Sequence, residues 1–227
     1  MIRFESKNGN EIPEVVILRL PLYMRVLAQL QEEHVEVVSS KDLGQRLKVT
    51  PAQIRKDLSY FGRFGKQGRG YNVAYLHKEL MSVLGLDRTW NTAVIGIGRL
   101  GRAIISYPGF RPQGFNVVAA FDSDPRQVGT TVADLTVRDT KELEESLKAL
   151  DIEIAIVAVP SVRSQQVVDR LVAYGIKAIL NYAPTQTHVP SDVKVRNIDP
   201  VLALQTLTYH LKSLAMRKGD QSSERVD

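Results

Sequence analysis

Gly96, Gly98 and Gly101 fall at G-x-G-x-x-G spacing within VIGIGRLGRA, and no other stretch restricts the fold as tightly. Such a loop works in one context. A strand runs into it and a helix leaves it, so that the backbone turns sharply, comes close to a pyrophosphate and presents it to the helix N-terminus. Both neighbours are here: a strand over 92–95 and a helix begun by RLGRAIISY. A second strand, FNVVAAFD, ends at Asp122, twenty-one residues past Gly101. A carboxylate near that distance meets the ribose hydroxyls of an adenosine. It also repels a 2′-phosphate, so the pattern favours NADH and NAD+ over their phosphorylated forms, with Arg126 the one nearby feature of opposite tendency.

The alternation continues. KELEESLKAL reads as a helix, IEIAIVAVP as a strand apolar on both faces, SVRSQQVVDRLVAYG as a helix, IKAILNYAP and VKVRNID as the last strands. Strands buried on both sides belong to a parallel sheet. The segment 89–200 is therefore expected to be an α/β, Rossmann-like nucleotide-binding domain. Ligands sit at the carboxyl ends of such strands. The candidate cofactor residues are Gly96, Ile97, Gly98, Arg99, Leu100, Gly101, Asp122, Val159, Pro160 and Asn181, with Tyr182 and Ala183 beside them.

What precedes this domain is helical and basic. From Pro13 to Leu30, apolar residues recur at Val16, Leu20, Tyr23, Leu27 and Leu30, a helical stripe; Pro21 is expected to start or bend that helix. SSKDLGQRLKV predicts a short second helix, capped by Ser39 or Ser40 with Leu43 and Leu47 on one face. TPAQIRKDLSYFGRFG predicts a third, with Thr50 as N-cap and Pro51 at the first helical position. Its back is Ile54, Leu58 and Phe61. Its front is Ala52, Lys56, Ser59 and Arg63, flanked by Arg55 and Tyr60. Two short helices, the second with a small, polar and basic front, make a helix-turn-helix. Arg and Lys can neutralise phosphates or reach guanine edges, while Ser and Gln offer hydrogen bonds.

Four glycines then punctuate GRFGKQGRG, with Lys66 and Arg69 near the tip, and YNVAYL alternates like a strand. This predicts a β-hairpin wing, whose arginine could enter a minor groove, and a winged-helix DNA-binding domain over 1–88. The charge agrees. The chain carries a net +5, while the segment from Ser39 to Asn72 holds eight Lys or Arg against two Asp. A basic stretch so concentrated points to a polyanion. The candidate DNA-binding residues are Arg46, Gln53, Arg55, Lys56, Ser59, Tyr60, Arg63, Lys66 and Arg69.

Cysteine is absent and the four histidines (His34, His77, His188, His210) are scattered, so neither disulfides nor a metal site is expected. The N-terminus shows no long apolar run, which fits a cytoplasmic protein. PVLALQTLTYHLKSLAMR predicts an apolar amphipathic helix over 201–217, with Leu202, Leu204, Leu207, Leu211 and Leu214. It is left over once the core is complete and is expected to pack on a second subunit. The polar end, 218–227, is expected to fray.

The two halves together resemble the Rex family of bacterial redox-sensing transcriptional repressors. IRKDLSYFG, GRGYNV, VIGIGRLGRA, YPGF, FDSDP, ILNYAP and NID carry the resemblance, and they span nearly the whole chain. It implies a homodimer of winged-helix heads and Rossmann bodies, with the C-terminal helix exchanged between subunits. It implies that NADH releases the protein from operator DNA while NAD+ permits binding. Carried over residue by residue, it gives Arg55 and Lys56 to DNA, the glycine loop and Asp122 to the cofactor, and Tyr107 to the nicotinamide. Arg25, Tyr107 and Asp199 then belong to the network that changes between states. Pro200 departs from the pattern, since an aromatic near the nicotinamide is expected there.

Two other functions use similar parts. A dehydrogenase needs a substrate pocket with a positioned acid or base; no segment remains to build one, and His188, the nearest histidine, falls in a loop rich in turn residues. A CoA-binding module shares the Rossmann body, but CoA carries a 3′-phosphate on the ribose that Asp122 would face.

Overall fold

The computed structural model describes residues 12–66 and 69–223, with side chains through Leu214 except that of Lys66. Gln67 and Gly68 of the hairpin and the last four residues of the polar end lie outside the described residues. The chain divides into two compact units between Thr89 and Trp90.

The first unit begins with α1 (Glu14–Glu32), whose buried residues include the expected stripe Val16, Leu20, Tyr23, Leu27 and Leu30. The helix starts at Glu14 and passes through Pro21, which lies on its exposed side. β1 (Val37–Val38) leads to α2 (Ser40–Leu47) and α3 (Pro51–Ser59). The caps are those the sequence predicts. Ser39 Oγ accepts from Asp42 N, and Thr50 Oγ1 accepts from Gln53 N, with Pro51 opening α3. The turn between them is tight at Gly44, where a Cβ would lie 2.5 Å from Val49 O.

β2 (Gly65–Lys66) and β3 (Gly70–Asn72) pair antiparallel, and β1 pairs with the other edge of β3. The hairpin is therefore present, but YNVAYL is not a strand. β3 stops at Asn72, whose side chain accepts from Tyr75 N at 2.9 Å and caps α4 (Val73–Val83). The alternation of Tyr71, Val73 and Tyr75 is too short to compete with a capped helix that buries Val73, Leu76 and Leu80. One core, built from Leu20, Tyr23, Leu27, Ile54, Leu58, Leu76 and Leu80 among others, holds the unit together.

The second unit is a seven-stranded sheet in the order β10-β9-β8-β4-β5-β7-β6. Its members are β4 (Trp90–Ile95), β5 (Phe115–Asp122), β6 (Thr131–Val132), β7 (Leu135–Asp139), β8 (Ile154–Val157), β9 (Ala178–Asn181) and β10 (Lys194–Asn197). All pairings are parallel except β6 with β7. Along β4, side chains alternate between two cores. Ala93 and Ile95 join Leu143, Leu147, Val168 and Leu171 from α6 (Leu143–Ala149) and α7 (Ser161–Ala173). Val94 joins Ile104 and Ile105 from α5 (Arg99–Ile105) on the other face. The strand order reverses at β4, between β5 and β8, and that reversal opens the crevice in which such sheets bind ligands.

α8 (Pro200–Ser223) ends the described chain. It is longer than the predicted 201–217 and continues into the segment expected to fray. Val201, Leu202, Leu204, Leu207, Tyr209, Leu211 and Leu214 are all exposed, so the unit leaves the large apolar side chains described on α8 uncovered. Among the described residues no helix is long and apolar enough to cross a membrane, and no group of three His, Cys, Asp or Glu could hold a metal ion.

Candidate nucleotide cleft and nucleic-acid interface

The glycine loop turns where β4 ends. Gly96 has φ +95°, and a Cβ there would meet Ala158 O at 2.7 Å and Val159 Cγ1 at 2.8 Å. A Cβ on Gly101 would collide with Gly96 O. These two glycines let the backbone fold against itself. Gly98 differs: a Cβ there would meet nothing within 4 Å. The space above it is open, as an approaching pyrophosphate requires.

Around that space lies a cleft of about 410 Å³. Of the residues predicted from sequence, Gly96, Gly98, Asp122, Val159 and Pro160 line it. Ile97 turns its side chain into the core, while Arg99, Leu100 and Gly101 build the first turn of α5. Asp122 ends β5 facing the loop. Its Oδ2 accepts from Ile97 N at 2.6 Å and its Oδ1 from Asp124 N at 2.9 Å. The carboxylate thus fixes the loop it was expected to complement, and each oxygen retains a lone pair for a ribose hydroxyl.

Asn181 and Tyr107 do not line this cleft either. Asn181 is fully buried. Its amide donates to Asn197 Oδ1 and to the Thr185 carbonyl, and its oxygen accepts from Ala183 N. It ties the end of β9 to β10, which is how a strand-end amide becomes part of the core. Tyr107 is exposed, packs edge-on against Phe110 at 5.2 Å, and lines a separate depression of about 320 Å³ with Phe115 and Leu135.

The cleft also holds residues that the sequence reading missed, among them Ser123, Asp124, Gln127, Thr140, Arg163, Gln166 and Arg170. Arg163, Gln166 and Arg170 follow Pro160 at helical spacing, i, i+3 and i+7, and that periodicity was available to find them. Asp124 grips Arg126, accepting from Nη2 at 2.7 Å and Nε at 3.0 Å. Hydrogen bonds from the Arg126 guanidinium and backbone amide hold its carboxyl down at about 2. Arg126 is thereby turned to a carboxylate.

In the first unit, Arg55, Lys56, Ser59, Arg63 and Arg69 are exposed and Tyr60 is half-buried. Arg63 and Arg69 share a depression of about 650 Å³ at the base of the hairpin with Phe64 and Gly70. Arg55 Nη1 donates to Ser40 Oγ at 3.0 Å, which links α3 to the start of α2. Arg46 is exposed but doubly bonded to Glu33, at 2.9 and 2.7 Å. The Lys66 side chain lies outside the described residues. Arg25 is exposed on α1, and Asp199 Oδ1 accepts from Val201 N, capping α8.

Asp57, one residue from Lys56, is fully buried. Its Oδ2 accepts from Arg19 Nε at 2.6 Å and Tyr23 Oη at 2.5 Å; its Oδ1 accepts from Arg19 Nη2 at 2.7 Å and Gln53 Nε2 at 2.6 Å. Burial pushes this carboxyl up, but the bonds from Arg19, Tyr23 and Gln53 outweigh it and hold the group below its ordinary value. Burial and the same carboxylate push the Tyr23 phenol up. Gln53, expected to face DNA, thus has one hydrogen of its amide engaged by Asp57, and the residue is half-buried.

A family profile described as "CoA binding domain" matches residues 87–185, and one described as "Putative DNA-binding protein N-terminus" matches residues 11–59. The chain is 53% identical over 201 residues to the redox-sensing transcriptional repressor Rex of Roseiflexus sp. (strain RS-1), covering 88% of this chain and 91% of that one. It is 44% identical over 199 residues to Rex of Streptomyces coelicolor, covering 88% and 77%. Two solved structures of RSP are also similar. The complex with β-NADH aligns with a TM-score of 0.83 at 39% identity, over 92% of this chain and 98% of that one. The complex with β-NAD+ and operator DNA gives 0.86 at 40%, over 94% and 98%. With a glycine loop and an acid-ended β5 at the crevice of one unit, a helix-turn-helix in the other, and relatives this similar across both, the chain belongs to the Rex family of redox-sensing transcriptional repressors.

Proposed function

We infer that this chain is a redox-sensing repressor that binds operator DNA as a homodimer, releases it when NADH occupies the Rossmann cleft, and binds it when NAD+ does. The observation that carries this reading is the open space over Gly98, bordered by Asp122 at the reversal of strand order. Gly96 and Gly98 would hold the pyrophosphate, Asp122 the adenosine ribose, and Val159 and Pro160 the path toward the nicotinamide. The bound cofactor supplies the signal, since NADH and NAD+ differ by one positive charge and by ring planarity. Arg55, Lys56, Ser59, Arg63 and Arg69 would meet DNA, and the exposed apolar positions of α8 would meet the second subunit.

A ligand biases a two-state protein only by its difference in affinity for the two states. Moving a population from 1:99 to 99:1 takes about 5.5 kcal/mol. In a dimer, each cleft would have to supply about half of that. The relatives are named as repressors rather than enzymes, and the cleft serves as a reader of the nucleotide. A CoA reading would place a 3′-phosphate against Asp122. As a repressor, the protein works in the cytoplasm, where bacterial DNA is.

The test is DNA binding titrated across NADH/NAD+ ratios. Occupancy should fall as NADH rises and recover as NAD+ displaces it. Occupancy independent of the ratio overturns the reading.

A further inference from the structure

A fully buried carboxylate stands in the second half of α3, between exposed Lys56 and buried Leu58. The surroundings of Asp57 explain how it stays there. Arg19 and Tyr23 lie one turn apart on α1 and bond it from one side; Gln53, one turn earlier on α3, bonds it from the other. All four acceptor sites have donors, and an ionised carboxylate can only accept.

That restriction reaches Gln53. A glutamine amide has a carbonyl end and an NH2 end, and rotation exchanges them. Facing Asp57, only the NH2 end fits. One of its hydrogens is taken by Asp57 Oδ1, which leaves the carbonyl oxygen and the second hydrogen on the free edge of the amide. Gln53 is half-buried in the first turn of α3, the part of a recognition helix that meets base edges. An acceptor next to a donor matches adenine, whose N6 amino group donates and whose N7 accepts. Guanine presents two acceptors there, O6 and N7, and the carbonyl oxygen would oppose O6.

We propose that Asp57 is a positioning residue that fixes the polarity of the Gln53 amide, so that α3 accepts adenine and rejects guanine at the base pair Gln53 faces. The Arg19 and Tyr23 bonds keep Asp57 from turning away, and inverting the amide would break the bond to Asp57. The proposal rests on the operator-binding reading above and adds a specificity to it.

The test uses the full chain and a duplex library with randomised half-sites, followed by defined duplexes that differ by one base pair. The position read by Gln53 is the one whose preference disappears in Gln53→Ala, a variant that leaves Asp57, Arg19 and Tyr23 paired. Wild type should prefer adenine over guanine there by about 5- to 150-fold, the range of one bidentate contact. Asp57→Asn, which can donate as well as accept, should bring that ratio near unity while NADH affinity is kept. The double variant should lose no more discrimination than either single one. A role confined to stability would lower affinity for every duplex equally and leave the ratio intact; that result overturns the proposal, as does a guanine preference at the Gln53 position or a Gln53→Ala variant with every preference retained. A wild-type chain that selects no sequence overturns the operator-binding reading itself.

Discussion

Gly98 and Gly101 are three residues apart, yet a methyl group at each would meet different things. At Gly101 it collides with Gly96 O, so Gly101→Ala should distort the loop, lower the melting temperature of the second unit and abolish nucleotide binding. At Gly98 it points into open space. Gly98→Ala should leave the melting temperature unchanged and still weaken NADH, because the methyl occupies the place of the pyrophosphate. Calorimetric unfolding and a fluorescence titration separate the two; a Gly98→Ala protein with wild-type NADH affinity would remove the pyrophosphate from this loop. Asp122→Ala should weaken NADH by about 10- to 150-fold, the equivalent of losing roughly 1.5–3 kcal/mol of charge-assisted hydrogen bonds. NADPH should gain relative to NADH, with DNA binding kept. Equal NADH affinities for mutant and wild type would take the ribose away from Asp122. Sequence spacing made these residues visible because the loop is local. Asp57 and Asn181 were harder. Asp57 entered only as a negative charge counted in the basic stretch and Asn181 as a cleft residue, and only the packing of α1 on α3 and of β9 on β10 shows that both are buried.

Elements were legible where a cap or a long period marked them. Ser39, Thr50 and Pro51 set the starts of α2 and α3. β6 and β7 escaped because strands of two and five residues, joined at Ala133 with φ +50°, leave too little alternation to read. The front of α3 carries its own prediction. Each phosphate neutralised adds about 0.9 to the slope of log affinity against log salt. Lys56→Ala should lower that slope by about this amount per subunit and weaken all duplexes alike; an unchanged slope would place Lys56 outside the interface. The contact between α1 and α3 carries another. Asp57 is held below its ordinary value in the folded chain, so its contribution is complete above the unfolded value of about 3.9 and is lost as pH falls through the folded one. The stability advantage of wild type over Asp57→Asn should therefore be constant near neutrality and shrink below about pH 4. An advantage that grows with acid would mean that the carboxyl is neutral in the folded state.

At the scale of the whole molecule, the sequence reads as a basic helical segment followed by an alternating α/β segment, and the chain divides into two compact units between Thr89 and Trp90. What joins subunits is a matter of surface. Leu204, Leu207, Leu211 and Leu214 recur at i, i+3, i+7 and i+10 along one side of α8, and Leu202 and Tyr209 lie on another. Their exposures run from 55% to 70%. A helix apolar on two sides and covered on neither has a contiguous hydrophobic surface of the kind that marks an interface. A second copy would supply the cover symmetrically, each α8 meeting the same surface of its partner. Truncation after Asp199 removes the helix and bares the surface it would occupy. The truncated chain should sediment as monomer or aggregate, bind NADH through an intact cleft, and hold operator DNA far more weakly than the full chain, since two half-sites would no longer be engaged together. Sedimentation velocity alongside DNA titration decides it. A soluble dimer that keeps wild-type operator affinity without residues 200–227 would show that the subunits join elsewhere and that α8 covers something other than its copy.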